Sequence, residues 1–324
     1  MKTKNIIMLL IFILILLIPE VVEATGNSNF FSEDITWSTK YVQGGDVMPY
    51  ALLSPSTANE NESIPLIIYL HGDGEKGKSS NTLLNNVNGL PQVLQNSNLN
   101  GFNAYVLLPH LTGDWLHSSG WDNSSTRNDI KALLDKIIEE YNIDTDNIVI
   151  SGGSRGGYGS IYIARELPQY FSKLVVISGY NNSYYTSITI PTRGYYGNSD
   201  DPNSINYMNG AFANKFGSDN VFKLTATHST IIEATFTEDK DNNDCPDVVE
   251  WMFDGYESKT KSIEFFDEDI TFEREYVSDG ETMPYALYTP STASGSTKLP
   301  LILWLHGLGE FNSSESTLLN SRFA

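Results

Sequence analysis

The chain has 324 residues, of which 40% are hydrophobic and 12% aromatic, so it can bury a large core and is not globally disordered. It carries 40 acidic and 20 basic residues, and its formal net charge of −20 argues against nucleic-acid partners. The one cysteine, Cys245, excludes an internal disulfide framework, and we expect it to be a structural bystander rather than a nucleophile.

The first 24 residues have the three parts of a secretory signal peptide. Lys2 and Lys4 precede an unbroken apolar run over residues 6–18, and Ala24 is the predicted last residue removed. The run is short for a membrane span, so we expect a secreted chain with no stable membrane anchor after cleavage. An uncleaved N-terminal anchor is the alternative.

Strand-like and helix-like segments alternate over residues 30–253, which predicts an α/β fold with a mostly parallel sheet. An antiparallel pair is predicted at residues 35–42 and 48–54. Apolar residues recur at helical spacing over residues 126–141, and another helix is expected after Pro246. The remaining strands are predicted at residues 66–70, 104–108, 147–150, 174–177, 193–196 and 222–226.

A repeat gives the domain organisation. Residues 30–85 align without a gap with residues 265–320, so the offset is 265 − 30 = 235, the length of a whole domain. We therefore predict a signal peptide at 1–24, a complete domain at 25–258 and the incomplete N-terminal part of a second copy at 259–324. Either a longer protein is truncated here, which we favour, or the second copy is a remnant that pairs with the first domain or with another chain.

The segment at residues 152–156 has the pattern Gly-x-Ser-x-Gly around Ser154 and follows a predicted strand. A helix-compatible stretch at residues 160–167 comes next, which is the setting of a nucleophile elbow. The glycines suit a turn too tight for side chains, and the N–H of Arg155 is expected to face a developing oxyanion. A glycine-rich turn with a buried serine is the alternative.

A serine nucleophile needs a base and an acid, which follow it in the order acid, then histidine, in this fold. Of the five histidines, His228 and His306 come after Ser154, and His306 lies in the incomplete copy. His228 follows a strand and is the predicted base. Asp200 is the predicted acid, with Asp201 as the substitute, and the other aspartate is expected to cap a helix.

The loop at residues 70–75, Leu-His-Gly-Asp-Gly-Glu, is expected to supply a second oxyanion donor, the N–H of Asp73 or Gly74. His71 ends a strand ahead of the nucleophile, so we interpret it as structural. Two aromatic loops are expected to border the cleft and could hold a phenolic or sugar ring, although loop anchoring explains them equally well. They contain Trp115, His117, Trp121, Tyr180, Tyr184 and Tyr185, of which Trp115, Trp121 and Tyr180 are the predicted substrate-binding residues.

An acidic stretch near the end of the first domain has EF-hand spacing. Asp244 occupies its sixth position, where glycine is needed, and no helix is clearly predicted before it. We therefore predict a solvated acidic loop and no metal site, with calcium binding as the alternative. The residues at positions one, three, five, nine and twelve are Asp239, Asp241, Asn243, Asp247 and Glu250.

Taken together, these motifs resemble the α/β-hydrolase esterases of the predicted-peptidase, feruloyl-esterase and polyhydroxybutyrate-depolymerase-like group, over residues 30–253. The resemblance implies an α/β-hydrolase catalytic domain at 25–258, with helices on both faces of the sheet, a Ser154–Asp200–His228 triad and no cofactor. This sequence departs from the group at Asp73, where a small residue is usual, and at Gly153, where a bulkier one is common.

We therefore expect a secreted serine hydrolase that cleaves a carboxylic ester through an acyl-enzyme on Ser154. Its expected partner is an ester substrate, with acyl or feruloyl groups on a polysaccharide as one form. One alternative is a serine peptidase of the prolyl-oligopeptidase type. The other is a non-catalytic surface binding module that keeps the fold as a scaffold.

Overall fold

The computed structural model describes residues 30–59, 62–113, 115, 120–180, 183–254, 256, 259–260, 272–277 and 285–290. The chain divides into two compact units, Met1–Lys261 and Ser262–Ala324. The predicted signal peptide and most of the second copy lie outside the described residues. Among the residues that are described, no helix has the length and apolar character needed to cross a bilayer.

The first unit is built on one large sheet. The strands of this unit are β1 Phe31–Ser32, β2 Trp37–Val42, β3 Tyr50–Pro55, β4 Glu62–Leu70, β5 Gly101–Phe102, β6 Tyr105–Pro109, β7 Ile143–Gly153, β8 Lys173–Ile177, β9 Thr192–Ser199, β10 Val221–Thr227 and β11 Lys259–Thr260. The strand order in the sheet is β10-β9-β8-β7-β4-β6-β3-β2. Neighbouring strands run parallel from β10 to β6, whereas β6, β3 and β2 pair antiparallel. The short β11 pairs with the start of β4, and β1 pairs with β5.

Helices connect these strands. The described helices are α1 Ser80–Asn85, α2 Leu90–Asn96, α3 Ser124–Glu140, α4 Arg155–Glu166, α5 Pro202–Tyr207, α6 Ala213–Phe216, α7 Ile231–Thr237 and α8 Asp247–Met252, with a π-helical turn at Met208–Phe212 and 3₁₀ turns at Pro168–Tyr170, Tyr184–Ser187 and Ser218–Asn220. The longest, α3, begins beside Asn123, whose side chain accepts a hydrogen bond from the Thr126 N–H at 3.0 Å. This cap places the start of the helix two residues before the predicted one.

Each face of the sheet packs against its own helices. Side chains of β4 alternate, so that Leu66 and Ile68 face one core while Ile67 and Tyr69 face the other. Helices α3 and α4 cover the first face, and α1, α2, α7 and α8 cover the second. The predicted fold class, a mostly parallel sheet with helices on both faces, is confirmed.

The predicted helices and strands differ from those of the structure in segments that are rich in polar or β-branched residues. β7 begins at Ile143, four residues before the prediction, because Ile143 pairs with Ile64 of β4 ahead of the apolar run. Helix α7 was not predicted, since its β-branched residues have low helix propensity. Burial of Ile231 and Phe236 against the sheet stabilises it there.

The second unit contains a strand pair with the same register as one in the first unit. Its strands β12, Phe272–Val277, and β13, Tyr285–Pro290, pair antiparallel from Phe272↔Pro290 to Val277↔Tyr285. β2 and β3 pair from Trp37↔Pro55 to Val42↔Tyr50, so both strands are displaced by the same number, 272 − 37 = 290 − 55 = 235. The repeated sequence therefore forms the same antiparallel strand pair twice, while the predicted extent of the second copy stays a prediction.

Core packing of α3 gives the first testable prediction. Leu134 is fully buried under the sheet, so Leu134→Ala leaves a cavity and is expected to lower the free energy of unfolding by about 2–5 kcal/mol. Urea unfolding measures this change. The matched control Glu139→Ala lies on the exposed side of the same helix and is expected to change the free energy by less than about 0.5 kcal/mol. Equal effects of the two substitutions would contradict the packing described here.

Candidate active site

Ser154 lies in a sharp turn between β7 and α4. Its backbone has φ 55° and ψ −117°, a conformation that a residue with a side chain rarely adopts. The Ser154 N–H donates to the Ile177 carbonyl of β8 at 2.8 Å, which helps to hold the turn in place. Such backbone strain costs on the order of 1–3 kcal/mol and persists where the surroundings enforce it.

The glycines around Ser154 allow the backbones of three elements to meet. A Cβ at Gly156 would lie 1.7 Å from the Leu70 carbonyl oxygen, and a Cβ at Gly152 would lie 2.3 Å from the Gly156 oxygen. Helix α4 thus begins in direct backbone contact with the end of β4. The loop after β4 therefore lies beside the nucleophile. A Cβ at Gly72, in that loop, would lie 3.6 Å from the Ser154 Cβ.

The structure brings Ser154, His228 and Asp200 together in one chain of hydrogen bonds. His228 Nε2 lies 2.8 Å from Ser154 Oγ, and His228 Nδ1 lies 2.6 Å from Asp200 Oδ1. The three residues follow β7, β10 and β9, which are parallel strands. Their carboxyl ends meet at one edge of the sheet, the usual position of a site in such folds.

Asp200 is a buried carboxylate with several donors. Its side chain has no exposed surface, and it accepts hydrogen bonds from the Ser178 hydroxyl, the Gly197 N–H at 3.0 Å and the Asp201 N–H at 2.7 Å. Burial by itself raises the pKa of Asp200, but the hydrogen bond from His228 and these three donors outweigh it and hold the pKa below its usual range. Asp200 therefore stays ionised.

Asp201, the substitute acid of the sequence analysis, has a different contact. Its carboxylate caps α5 by accepting from the N–H groups of Asn203 at 2.8 Å and Ser204 at 3.3 Å. The two adjacent aspartates thus divide the two tasks: Asp200 contacts the histidine, and Asp201 begins the helix.

His228 is open to solvent on one side, with 42% of its side chain exposed. The hydrogen bond to Asp200 raises the pKa of His228 more than partial burial lowers it, and the charge of Asp201 adds to the increase. With its Nδ1 proton directed at Asp200, the Nε2 lone pair faces the Ser154 hydroxyl. The arrangement can therefore accept the serine proton and stabilise the imidazolium that results.

The loop that holds Asp73 and Gly74 is exposed at its tip and anchored by a buried histidine. His71 Nδ1 donates to the Gly72 carbonyl at 2.7 Å, and its Nε2 accepts from the Leu111 N–H at 3.2 Å. Burial lowers the pKa of His71 to about 3, so the ring stays neutral and acts as a structural support. The same loop is fixed by the buried Glu75, whose carboxylate accepts from the Asn86 amide.

The predicted role of Trp121 in substrate binding is wrong. Its indole is only 1% exposed and donates from Nε1 to the His71 carbonyl at 3.0 Å, so it supports the loop from within the core. Trp115 is half-buried and packs against the same core cluster as Trp121. Tyr184 stacks on Arg165 at 4.3 Å, which favours loop anchoring for this residue.

Tyr180 is 46% exposed and is one of two large hydrophobic side chains exposed in the described part of the chain. It follows β8 at the same edge of the sheet as Ser154. Its predicted contact with substrate stays a prediction, as does that of Trp115. His117, the other residue of the aromatic loops, lies outside the described residues.

The unusual Gly153 has a structural explanation. A Cβ at this position would lie 2.5 Å from the Tyr69 hydroxyl and 3.0 Å from a side-chain carbon of Ile232. Tyr69 therefore fills the space that a bulkier residue before the nucleophile would take.

Cys245 is buried, and burial raises the pKa of its thiol to about 11. The fraction of thiolate at neutral pH is therefore negligible, which agrees with a structural role.

The acidic loop at residues 239–250 differs from the sequence analysis in two respects, the helix before it and the backbone at its sixth position. Helix α7 ends two residues before Asp239, and Asp244 itself adopts the left-handed conformation, with φ 64°. Carboxylate oxygens of Asp239, Asp241 and Asp247 lie within 4.8 Å of one another. Exposed carboxylates also gather in this way without an ion, so we assign this loop no function.

Sequence reasoning missed two residues of this region, Glu75 and Ser178. The repeat could have pointed to Glu75, because the equivalent residue of the second copy, Glu310, is also a glutamate. Ser178 gave no sequence signal, since its contact with Asp200 joins the ends of two strands that are neighbours only in the folded sheet.

Comparison with known proteins adds a family match and several structural neighbours. Residues 105–216, which are 112 of the 324 residues, match the prolyl oligopeptidase family. This stretch runs from β6 through the elbow and Asp200 but ends before His228. No curated protein sequence matches the chain significantly.

Among solved structures, a thermostable esterase is similar at a TM-score of 0.50 and 19% identity, over 69% of this chain and 63% of that one. The S-formylglutathione hydrolase FrmB of Staphylococcus aureus has a TM-score of 0.45 and 12% identity, over 62% of this chain and 95% of that one. The fluorophosphonate-binding serine hydrolase FphF of the same organism has a TM-score of 0.46 and 13% identity, over 61% and 94%. This chain spans less than two thirds of the length of the thermostable esterase. The likeness to that esterase shows an α/β-hydrolase fold.

The backbone contact at the elbow predicts the effect of one added methyl group. Gly156→Ala places a Cβ where the Leu70 carbonyl lies, so we expect the free energy of unfolding to fall by about 3 kcal/mol or more. Thermal unfolding measures this loss. In the control Gly210→Ala the new Cβ has no neighbour within 4 Å, and stability should be kept. A Gly156→Ala protein that unfolds at the wild-type temperature would show that the elbow is not packed as described.

Proposed function

We propose that this chain hydrolyses a carboxylic ester through an acyl-enzyme on Ser154. The observation that carries the proposal is the uninterrupted chain of hydrogen bonds from Ser154 Oγ through His228 to the buried Asp200. The likeness of the fold to a thermostable esterase favours an ester as the bond that is cleaved.

In the first half of the reaction, Ser154 Oγ attacks the ester carbonyl carbon while His228 Nε2 takes the hydroxyl proton. The carbonyl oxygen becomes an oxyanion, which the N–H of Arg155 and that of Asp73 or Gly74 are proposed to stabilise. Arg155 is the first residue of α4, where N–H groups point away from the carbonyls of the helix. His228 then gives its proton to the departing alcohol.

In the second half, water replaces the alcohol. His228 removes a proton from the water, whose oxygen attacks the acyl carbon, and the second tetrahedral intermediate releases the carboxylic acid and regenerates the Ser154 hydroxyl. Asp200 keeps its charge throughout and stabilises the imidazolium that forms twice.

We propose that the substrate is carried by a large molecule, such as an acylated or feruloylated polysaccharide outside the cell. The exposed side of His228 and the exposed Tyr180 suit such a substrate, because a polymer needs an open site and a phenolic or sugar ring needs an aromatic surface. Secretion by the signal peptide at residues 1–24 belongs to this proposal.

A serine peptidase is the second candidate, because residues 105–216 match the prolyl oligopeptidase family. The same nucleophile, base and acid would serve either reaction, so the leaving group distinguishes them. A non-catalytic binding module is less favourable, because it has no use for a buried ionised Asp200 that is hydrogen-bonded to His228.

A substrate panel tests the proposal. We expect the full chain to hydrolyse p-nitrophenyl acetate and methyl ferulate and to leave a proline-containing peptide amide intact. Ser154→Ala is the control variant. Its ester turnover is expected to be lower than that of the wild type by about 10³-fold or more, with unchanged thermal stability. Cleavage of the peptide without preference for the esters would reverse the ranking, and a folded wild type that fails to react with a fluorophosphonate probe would support the binding module.

The division of the chain predicts the result of a deletion. Ser154, Asp200 and His228 all lie in the unit Met1–Lys261. Removal of residues 263–324 is therefore expected to leave ester turnover per active site within about twofold of the full chain. Fluorophosphonate titration of Ser154 gives the number of active sites. A fall well beyond twofold would mean that the second copy contributes to the site.

A further inference from the structure

Ser178 is a buried serine directly after β8, at the edge of the sheet where the triad lies. Its backbone has φ 48°, in the left-handed region that favours glycine. The next residue is Gly179. The chain thus places a serine in a conformation that a glycine would adopt with less strain.

Ser178 makes three hydrogen bonds in this conformation. Its N–H donates to the Tyr195 carbonyl at 2.8 Å, and its carbonyl accepts from the Ser204 hydroxyl at 2.8 Å. The third bond is made by its own hydroxyl, which donates to Asp200 Oδ2. A glycine could make the first two bonds, so the side chain adds only the bond to Asp200.

The bond matters because a carboxylate can rotate about its last torsion with little resistance. Asp200 Oδ2 is held by the Ser178 hydroxyl and the Gly197 N–H, while Oδ1 accepts from the Asp201 N–H and faces His228. Loss of the hydroxyl would leave Oδ2 with one donor, and Oδ1 would spend less time in line with His228 Nδ1.

We propose that Ser178 is a positioning residue that fixes the orientation of the Asp200 carboxylate toward His228, an inference that rests on the proposed function. Ser178 does not touch the reacting atoms, and it acts through Asp200. The left-handed backbone at Ser178 is unfavourable for a residue with a side chain. Such strain occurs most often at functional sites, which agrees with a role for this hydroxyl.

The test measures the pKa of His228 directly by NMR titration of the full chain with ¹⁵N-labelled histidine. The His228 signal is identified by its loss in His228→Gln. The titratable groups that face this pair are Asp200, His228 itself and Asp201. Since the bond to Asp200 is the main cause of the raised pKa of His228, we expect Ser178→Gly to lower that pKa toward its ordinary value of about 6.5.

Two further variants control for simple damage to the fold. Ser178→Ala also lacks the hydroxyl but keeps the unfavourable φ for a side chain, so it should show the same pKa shift and a lower melting temperature than Ser178→Gly. Ser204→Ala removes a neighbouring buried hydroxyl that contacts the Ser178 carbonyl and not Asp200, and it should leave the pKa of His228 unchanged.

Kinetics give the second readout. In Ser178→Gly we expect kcat per titrated active site to fall about tenfold while KM changes less than twofold. The acid limb of kcat/KM should move to lower pH together with the pKa of His228. A His228 pKa that stays in place or rises in both Ser178 variants would overturn the positioning role. The NMR result decides this point even if the wild type turns over no ester, which would contradict the proposed function alone.

Discussion

The close contact between the start of α4 and the end of β4 determines the geometry of the whole site. At Gly156 the two backbones approach so closely that a Cβ would lie 1.7 Å from the Leu70 carbonyl oxygen. This approach forces the turn at Ser154 into its strained conformation, and the same approach brings the loop after β4 beside the nucleophile. This backbone contact therefore links the position of the nucleophile to that of the loop that carries the proposed oxyanion donors.

The second constraint is electrostatic. A buried carboxylate is costly unless hydrogen bonds replace the water that it loses. Asp200 has donors from the ends of three strands and the turn after β9, so it remains ionised without solvent. Its hydrogen bond, and after that its charge, raises the pKa of His228, and a more basic imidazole accepts a proton more readily. The carboxylates that act on the imidazole are Asp200, held 2.6 Å away, and the neighbouring Asp201.

Buried polar side chains support the loop beside Ser154. His71, Trp121 and Glu75 hold the loop at residues 70–75 through the Gly72 carbonyl, the His71 carbonyl and the Asn86 amide. All three side chains are buried, so they hold the backbone of this loop from within the core. The repeat preserves the histidine and the glutamate of this loop and changes Asp73 to Leu308. This difference is consistent with a loop whose buried anchors matter more than its exposed tip.

Several features follow from the local pattern of residues, because they depend on neighbours along the chain. The order of the main strands, the elbow around Ser154 and the repeat offset are of this kind. Contacts between distant segments decided the rest. Both Asp200 and Asp201 follow a strand, and only the packing of β9 against β10 directs one at His228 and the other at the start of α5. An aromatic residue in a glycine-rich loop, such as Trp121, resembles a substrate contact until the folded core shows that its indole is buried. Ser178 follows β8 and contacts Asp200, which follows the neighbouring strand β9. The number of residues between them does not predict that the two side chains meet in the folded sheet.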